Sequence, residues 1–256
     1  MQPIELSVII PAWNEELRLP RTLSSCIEYL SAQPYRSEIL VVSDGSKDKT
    51  VETAKSYQSI FPTLKVLDFP FNKGKGFGVK AGMLAATGRY RLFMDADNAV
   101  PITCVDELLE EARNGKDIVI GSRALAQSDV RSRQGFPRQQ LAQLFGFLQW
   151  LVLRLPIRDT QCGFKLFNAQ AAEKFFPLIT YDCAYFDAEL LYIAHHMGAK
   201  IAELPVTWSH DNETRLPIGV RRSVELFRKL FAIRSSFRKL QMQRDHEPAR
   251  TLSTHR

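Results

Sequence analysis

The chain of 256 residues is predicted to adopt an α/β fold around a mostly parallel central sheet. Two features carry that prediction. Short, nearly continuous apolar runs alternate with amphipathic stretches, and the runs of the first half end in polar or acidic turns. Residues 6–10, 38–43, 64–69, 90–95 and 117–121 are the runs. Several lack the in-out alternation of a half-solvated strand, so they suit strands covered on both faces. Between them, residues 15–31, 47–60, 76–86 and 105–114 carry helical periodicity. The resulting β-α-β-α order is that of a doubly wound sheet of Rossmann type. Ligands of such sheets bind beyond the carboxyl ends of the strands.

The second half is less regular. Residues 128–137 read as a polar loop, 139–155 as a strongly apolar helix, 163–167 as a short strand, 187–197 as a helix and 200–208 as a further strand. After a loop at 209–216, residues 220–240 read as a basic helix, and 241–256 carry the composition of a disordered tail.

A hydrophobic content of 45% excludes a disordered chain, and the length suits one domain with a full core. No apolar run approaches the ~18 residues that a spanning helix needs; the nearest, 145–157, is interrupted by Gln149 and Arg154. The short run after Met1 lacks the basic flank of a secretion signal, so the expected location is the cytoplasm. The net charge of +6 is not spread evenly. Residues 1–210 carry 23 basic and 23 acidic side chains, whereas 211–256 carry 11 and 5. A neutral body with a basic end suits an anionic surface as partner; charge alone allows anionic lipid or nucleic acid. Cys26, Cys104, Cys162 and Cys183 lack metal-type spacing and read as buried free thiols.

Three strand ends carry polar clusters: Pro11-Ala12-Trp13-Asn14-Glu15, Asp44-Gly45-Ser46 and Asp95-Ala96-Asp97-Asn98. An aspartate beside a glycine turn can accept from a base edge. Two aspartates at i and i+2 can hold a hard cation through oxygen, and that cation can neutralise a departing diphosphate. Each cluster alone also has a plain reading, as a turn or a helix cap. Three at successive strand ends point to function.

These clusters resemble family 2 glycosyltransferases. Asn72-Lys73-Gly74-Lys75-Gly76, Gly121-Ser122-Arg123 and the run Asp159-Thr160-Gln161-Cys162-Gly163-Phe164-Lys165-Leu166-Phe167 sharpen the likeness. The last run resembles the dolichyl-phosphate β-glucosyltransferase and dolichyl-phosphate mannosyltransferase group. The resemblance spans about residues 5–215 and implies a GT-A type nucleotide-sugar fold. It implies one domain over 1–216, with a donor-nucleotide half at 1–100 and an acceptor half at 101–216; the basic helix, bounded at 217–240, follows it. By the same resemblance Pro11, Trp13 and Glu15 line the nucleoside pocket, Asp44 reads the base edge, and Asp95 and Ala96 sit near ribose and phosphate. Asp95 and Asp97 are the metal pair for Mg²⁺ or Mn²⁺, with Asp97 and Arg123 catalytic. The mannosyltransferases place a further ligand two residues on, where this chain has Ala99; Asn98 or water must substitute.

Other assignments keep two readings. Lys73 and Lys75 contact the diphosphate or begin a solvated helix. Arg123 holds an acceptor phosphate, with Arg138, Gln161 and Lys165 nearby, or forms a surface ion pair. Asp187 is a general base beneath an acceptor hydroxyl or a helix N-cap. Cys162 packs rather than reacts, and His195, His196 and His210 lack partners at ligand spacing. The helix at 139–155, flanked by Arg138, Arg154 and Arg158 and containing Trp150, lies in the core or in a membrane interface. In 220–240, Val224, Leu226, Phe227, Leu230, Phe231 and Phe237 share an arc opposite Arg221, Arg228, Lys229 and Lys239, with Arg234 and Arg238 at its edge. That helix is expected to bind an anionic membrane, or else a membrane-protein partner.

The expected activity is inverting transfer of a hexose, glucose from UDP-glucose, to a polyprenyl phosphate on the cytoplasmic face of a membrane, with no nucleic acid involved. The rivals are GDP-mannose as donor, a hydroxyl acceptor with Asp187 as base, and a non-catalytic nucleotide-sugar binding protein. Intact Asp95 and Asp97 argue against the last. A nucleotidyltransferase would need a glycine-rich phosphate loop after the first strand, which is absent.

Overall fold

The apolar runs become strands because their alternate side chains feed two cores. The computed structural model describes residues 2–130, 149, 151–183, 185–209 and 230–238. In β1 (Leu6–Ala12), Val8 and Ile10 join one cluster with α1 (Leu19–Ser31) and α4 (Val105–Arg113). Ile9, between them, joins the cluster on the other face with α3 (Lys75–Ala85). The same alternation holds in β2 (Ser37–Asp44), where Ile39 and Val41 face one core and Leu40 and Val42 the other. Full burial of such side chains stabilises the sheet by roughly 1.5–3 kcal/mol apiece. α5 (Ala169–Phe175), α6 (Phe186–His196) and helical residues 151–153 and 230–238 complete the α3 layer.

Seven strands form the sheet in the order β3-β2-β1-β4-β7-β5-β8. β3 (Leu64–Phe69), β2, β1 and β4 (Tyr90–Met94) are parallel, as are β5 (Ile118–Ser122) and β8 (Ile201–Pro205). β7 (Phe164–Asn168) runs antiparallel between β4 and β5. Its register pairs Met94 with Phe164 and Ile120 with Lys165. The reversal decides where the site forms. It brings the residues that enter β7 to the same sheet edge as those that leave β1, β2, β4 and β5.

Several expected boundaries change. α1 starts at Leu19 rather than at residue 15, with Pro20 in its first turn, because the backbone of 14–16 is held by the loop after β2. α2 (Thr50–Ser56) is shorter than expected and ends in a single tight turn, Tyr57–Ser59. The strand expected at 200–208 breaks at Pro205-Val206. β9 (Thr207–Trp208) leaves the main sheet to pair with β6 (Asp129–Val130), inside the segment expected to be loop. α5 was not expected; Asn168 caps it by accepting from the Ala171 N–H at 2.7 Å.

Of the helix expected at 139–155, residues 149 and 151–155 are described; it ends at Leu153, where Arg154 turns to φ 50°. There Gln149, Val152 and Leu153 are buried and Leu151 is 50% exposed. Of the basic helix, residues 230–238 are described. Leu230, Ile233 and Phe237 are buried in the core, so part of the arc expected to meet a membrane packs on the domain instead. Phe237 stands edge-on to Tyr192 of α6, with ring centroids 5.6 Å apart. The expectations for 131–148, for Trp150, for 210–229 and for 239–256 lie outside the described residues. Among the described residues, no helix is long and apolar enough to cross a membrane.

Candidate active site

The loops after β1 and β2 are laced together. Asn14 takes a left-handed conformation at φ 55°, and its N–H donates to Ser46 Oγ at 3.1 Å. Its Oδ1 accepts from Lys47 N–H at 2.8 Å. Glu15 N–H donates to Thr50 Oγ1 at 2.7 Å and Glu16 N–H to Asp48 Oδ2 at 3.1 Å. The Glu15 carboxylate, expected at the nucleoside pocket, is taken up by a two-pronged contact from Arg18 at 2.6 and 2.5 Å. Pro11 lies beside Val42 in the sheet and under Gly78 of α3. Trp13 is 48% exposed.

Asp44, expected to read a base edge, is buried, and both carboxylate oxygens are used locally. Oδ1 accepts from Lys73 N–H at 2.9 Å and Oδ2 from Gly74 N–H at 2.7 Å. The residue therefore clasps the glycine loop ahead of α3. Gly45, at φ 71°, lets residues 71–72 cross directly over it, where any Cβ would collide with their backbone. The loop delivers Lys75, whose Nζ sits 2.6 Å from Asp95 Oδ1. Burial lowers the Lys75 pKa, but the charges of Asp95 and Asp187 outweigh it and raise the pKa above its ordinary value.

The Asp95-Ala96-Asp97 turn is anchored on every side. Asp95 N–H donates to Gly163 O at 3.1 Å, Thr22 Oγ1 of α1 donates to Ala96 O at 2.6 Å, and Asp97 Oδ1 accepts from Ala99 N–H at 3.0 Å. The Asp95 side chain lies over Gly163: a Cβ there would stand within 2.7 Å of Cγ and both carboxylate oxygens. Burial and the neighbouring Asp95 charge push the Asp97 pKa up. Two carboxylates held in mutual repulsion, with Asn98 Oδ1 buried and unpaired, are a donor set that a hard cation fits. Among the described residues there is no cluster of three or more His, Cys, Asp or Glu. The pair alone would supply protein carboxylates, and the remaining oxygens would come from Asn98, water or a bound phosphate.

On the acceptor side, Arg123 is ion-paired, and the pair is largely buried rather than at the surface. Its Nε and Nη2 donate to Asp159 Oδ2 and Oδ1 at 2.7 and 2.9 Å, and its N–H donates to Oδ2 at 3.0 Å. Burial raises the Asp159 pKa, but the Arg123 hydrogen bonds and charge dominate and hold it below the usual carboxylate range. Lys165 does not face an open site. It is fully buried, and its Nζ donates to the Cys162 carbonyl and, at 2.6 Å, to Asp187 Oδ1. Asp187 is neither the cap, a place occupied by Tyr185, nor solvent-facing: its side chain is 3% exposed. Gln161 Nε2 is a buried donor with no partner among the described residues. Burial pushes the Cys162 thiol up to about 12, as suits a packing residue. Arg138 lies outside the described residues. Sequence reasoning missed the partnership of Asp159 with Arg123. The only available signal was an acid opening the 159–167 run in a chain with an arginine at a strand end.

The model of glycosyl transferase family 2 matches residues 7–176, which takes in the three polar clusters, Arg123 and the 159–167 run. The chain belongs to glycosyl transferase family 2. Within that family it is 40% identical over 226 residues to a dolichyl-phosphate beta-glucosyltransferase of Drosophila melanogaster, covering 83% of this chain and 69% of that one. It is 35% identical to the protein of that name from Homo sapiens, with the same two coverages. Among solved structures, glucosyl-3-phosphoglycerate synthase of Mycobacterium tuberculosis, crystallised with Mn²⁺, uridine diphosphate and phosphoglyceric acid, superposes with a TM-score of 0.66. Identity there is 18%, over 91% of this chain and 78% of that one, so the likeness establishes the shared GT-A fold.

Proposed function

We propose that this family 2 glycosyltransferase transfers glucose, with inversion, from UDP-glucose to a polyprenyl phosphate of dolichyl type at the cytoplasmic face of a membrane. The observation that carries the reading is the meeting at one sheet edge of the Asp95/Asp97 pair, Lys75 and the 159–163 segment. In curated relatives named dolichyl-phosphate beta-glucosyltransferase, 35–40% identity extends over this same chain. In this reading residues 1–100 hold the donor and 101–216 the acceptor.

Asp95 and Asp97 would hold Mg²⁺ or Mn²⁺, which neutralises charge on the departing diphosphate. Lys75, beside Asp95, adds a fixed positive charge there, and Lys73 lies in the same loop. Trp13 offers an exposed ring to the uracil, and Asp44 acts through the loop it clasps. An acceptor phosphate oxygen forms the bond to C1 as the bond from C1 to the diphosphate breaks, and UDP leaves. Such an oxygen is already anionic, so no base is needed. Consistent with this, Asp187 is buried against Lys165 rather than open to an acceptor. Gln161 Nε2, a buried donor without a partner among the described residues, would turn to substrate, and Arg123 with Asp159 shapes the acceptor wall. A groove of about 450 Å³ is lined by Leu151, Arg154, Leu155 and Pro156, and Phe231 is 59% exposed. An apolar, basic surface of this kind suits an anionic bilayer, directly or through a membrane-protein partner.

Incubation with labelled UDP-glucose, Mg²⁺ and a short polyprenyl phosphate is expected to place label in the organic extract as an acid-labile β-glucosyl phosphate. Donor hydrolysis without lipid product would remove the reading.

A further inference from the structure

Glu189 lies in the first turn of α6 and is buried, and all its described partners are neutral. Its Oε2 accepts from the N–H groups of Thr180 and Tyr181, each at 2.9 Å, and its Oε1 from Thr180 Oγ1 at 2.6 Å. Burying a carboxylate is costly unless it is well hydrogen-bonded, and a leucine would fill the same space without that cost. What the carboxylate adds is a fixed course for the backbone just ahead of α6.

That backbone reaches the donor side. The next carbonyl, of Asp182, accepts from Gly76 N–H at 2.7 Å, and more weakly from Phe77 N–H at 3.4 Å. The approach is so close that a Cβ on Gly76 would stand 2.6 Å from Tyr181 O. A Cβ on Gly74 would collide with Asp182 O in the same way. The lysine loop is thus gripped from two sides, by the Asp44 carboxylate on Lys73 and Gly74 and by the 181–182 backbone on Gly76. Lys75 lies between the two grips with its Nζ on Asp95.

We infer that Glu189 is a positioning residue for donor binding: it sets the 180–182 backbone, which in turn fixes the loop that presents Lys75. The inference rests on the proposed role of that loop at the donor diphosphate. It assigns no contact between Glu189 and substrate.

The test uses the full chain and measures UDP affinity by calorimetry in Mg²⁺, KM for UDP-glucose and for polyprenyl phosphate, and melting temperature. Glu189→Met, which keeps side-chain bulk and removes the acceptors, is expected to weaken UDP binding and raise the donor KM about tenfold while leaving the acceptor KM alone. Glu189→Gln keeps an acceptor for both amides, and its NH₂ can donate to the Thr180 hydroxyl, so donor affinity should return to within about threefold. Thr180→Val, which removes one of the three bonds, should move donor affinity the same way by about two- to threefold, and it carries the test if the methionine variant fails to fold. Lys75→Ala separates the two layers. Normal UDP binding by Lys75→Ala would remove the loop from the donor site and the inference with it. Weakened binding there, with Glu189→Met or Thr180→Val folded and binding UDP normally, would overturn the relay alone. A Gln variant as weak as Met, or equal rises in both KM values, would also overturn it.

Discussion

A methyl group added at Gly163 would fall against the Asp95 carboxylate. Gly163→Ala is therefore expected to leave melting nearly unchanged but lower turnover about 10²-fold, the scale of a 1 Å misplacement of a reacting group; steady-state kinetics beside a thermal melt checks both. Glu38 makes a contrasting case at the opposite sheet edge. It is buried and accepts from Ser7 Oγ at 2.7 Å, Thr87 N–H at 2.7 Å and Lys65 Nζ at 2.7 Å. Burial raises its pKa, but these donors outweigh burial and lower it. Its contribution to stability is thus present above the unfolded value of about 4.3 and lost as pH falls through the lower folded value. Glu38→Gln should lower stability near neutral pH by about 1–3 kcal/mol, narrow the loss on acidification, and spare turnover; denaturant midpoints at the two pH values decide. The aspartates of the site were legible because they sit two apart after an apolar strand. Their partners were not. Lys165 and Asp187 are 22 residues apart and Arg123 and Asp159 are 36 apart, and no local pattern announces such pairs.

At the scale of elements, the first four β-strands and the helices between them were legible from period and order, since each alternation feeds one of two cores. The direction of β7 was not, because an apolar run looks the same whether it enters a sheet forwards or backwards. Yet that direction brings 159–163 to the donor edge. α5 was overlooked for its brevity, although Asn168 signals it. Asn168 accepts from Ala171 N–H at 2.7 Å and donates through Nδ2 to Asp117 Oδ1 at 3.1 Å. Asn168→Ala should destabilise the fold by about 1–2 kcal/mol with little effect on donor KM, to be read from chemical denaturation. The basic helix was legible as amphipathic but not in its use: Leu230, Ile233 and Phe237 turn to the core, and Arg234 Nη1 donates to the Val152 carbonyl at 3.1 Å. Phe237→Ala should accordingly cost about 3 kcal/mol or more of stability.

For the whole molecule, the proposed membrane face is the side of helical residues 151–153 and 230–238, where Leu151 and Phe231 are exposed. Binding to anionic vesicles should weaken with salt, at roughly 1 kcal/mol per near-surface Lys or Arg, and Phe231→Asp should reduce it in a sedimentation assay without unfolding the chain. In the proposed reaction the acceptor brings its own negative charge, so that the site works without a base. The most direct measurement compares polyprenyl phosphate with the matching polyprenol, using UDP-glucose or GDP-mannose, with Mg²⁺ or with chelator. Glucose is expected on the phosphate alone, from UDP-glucose alone, and only with metal present. Comparable transfer to the polyprenol would contradict the account.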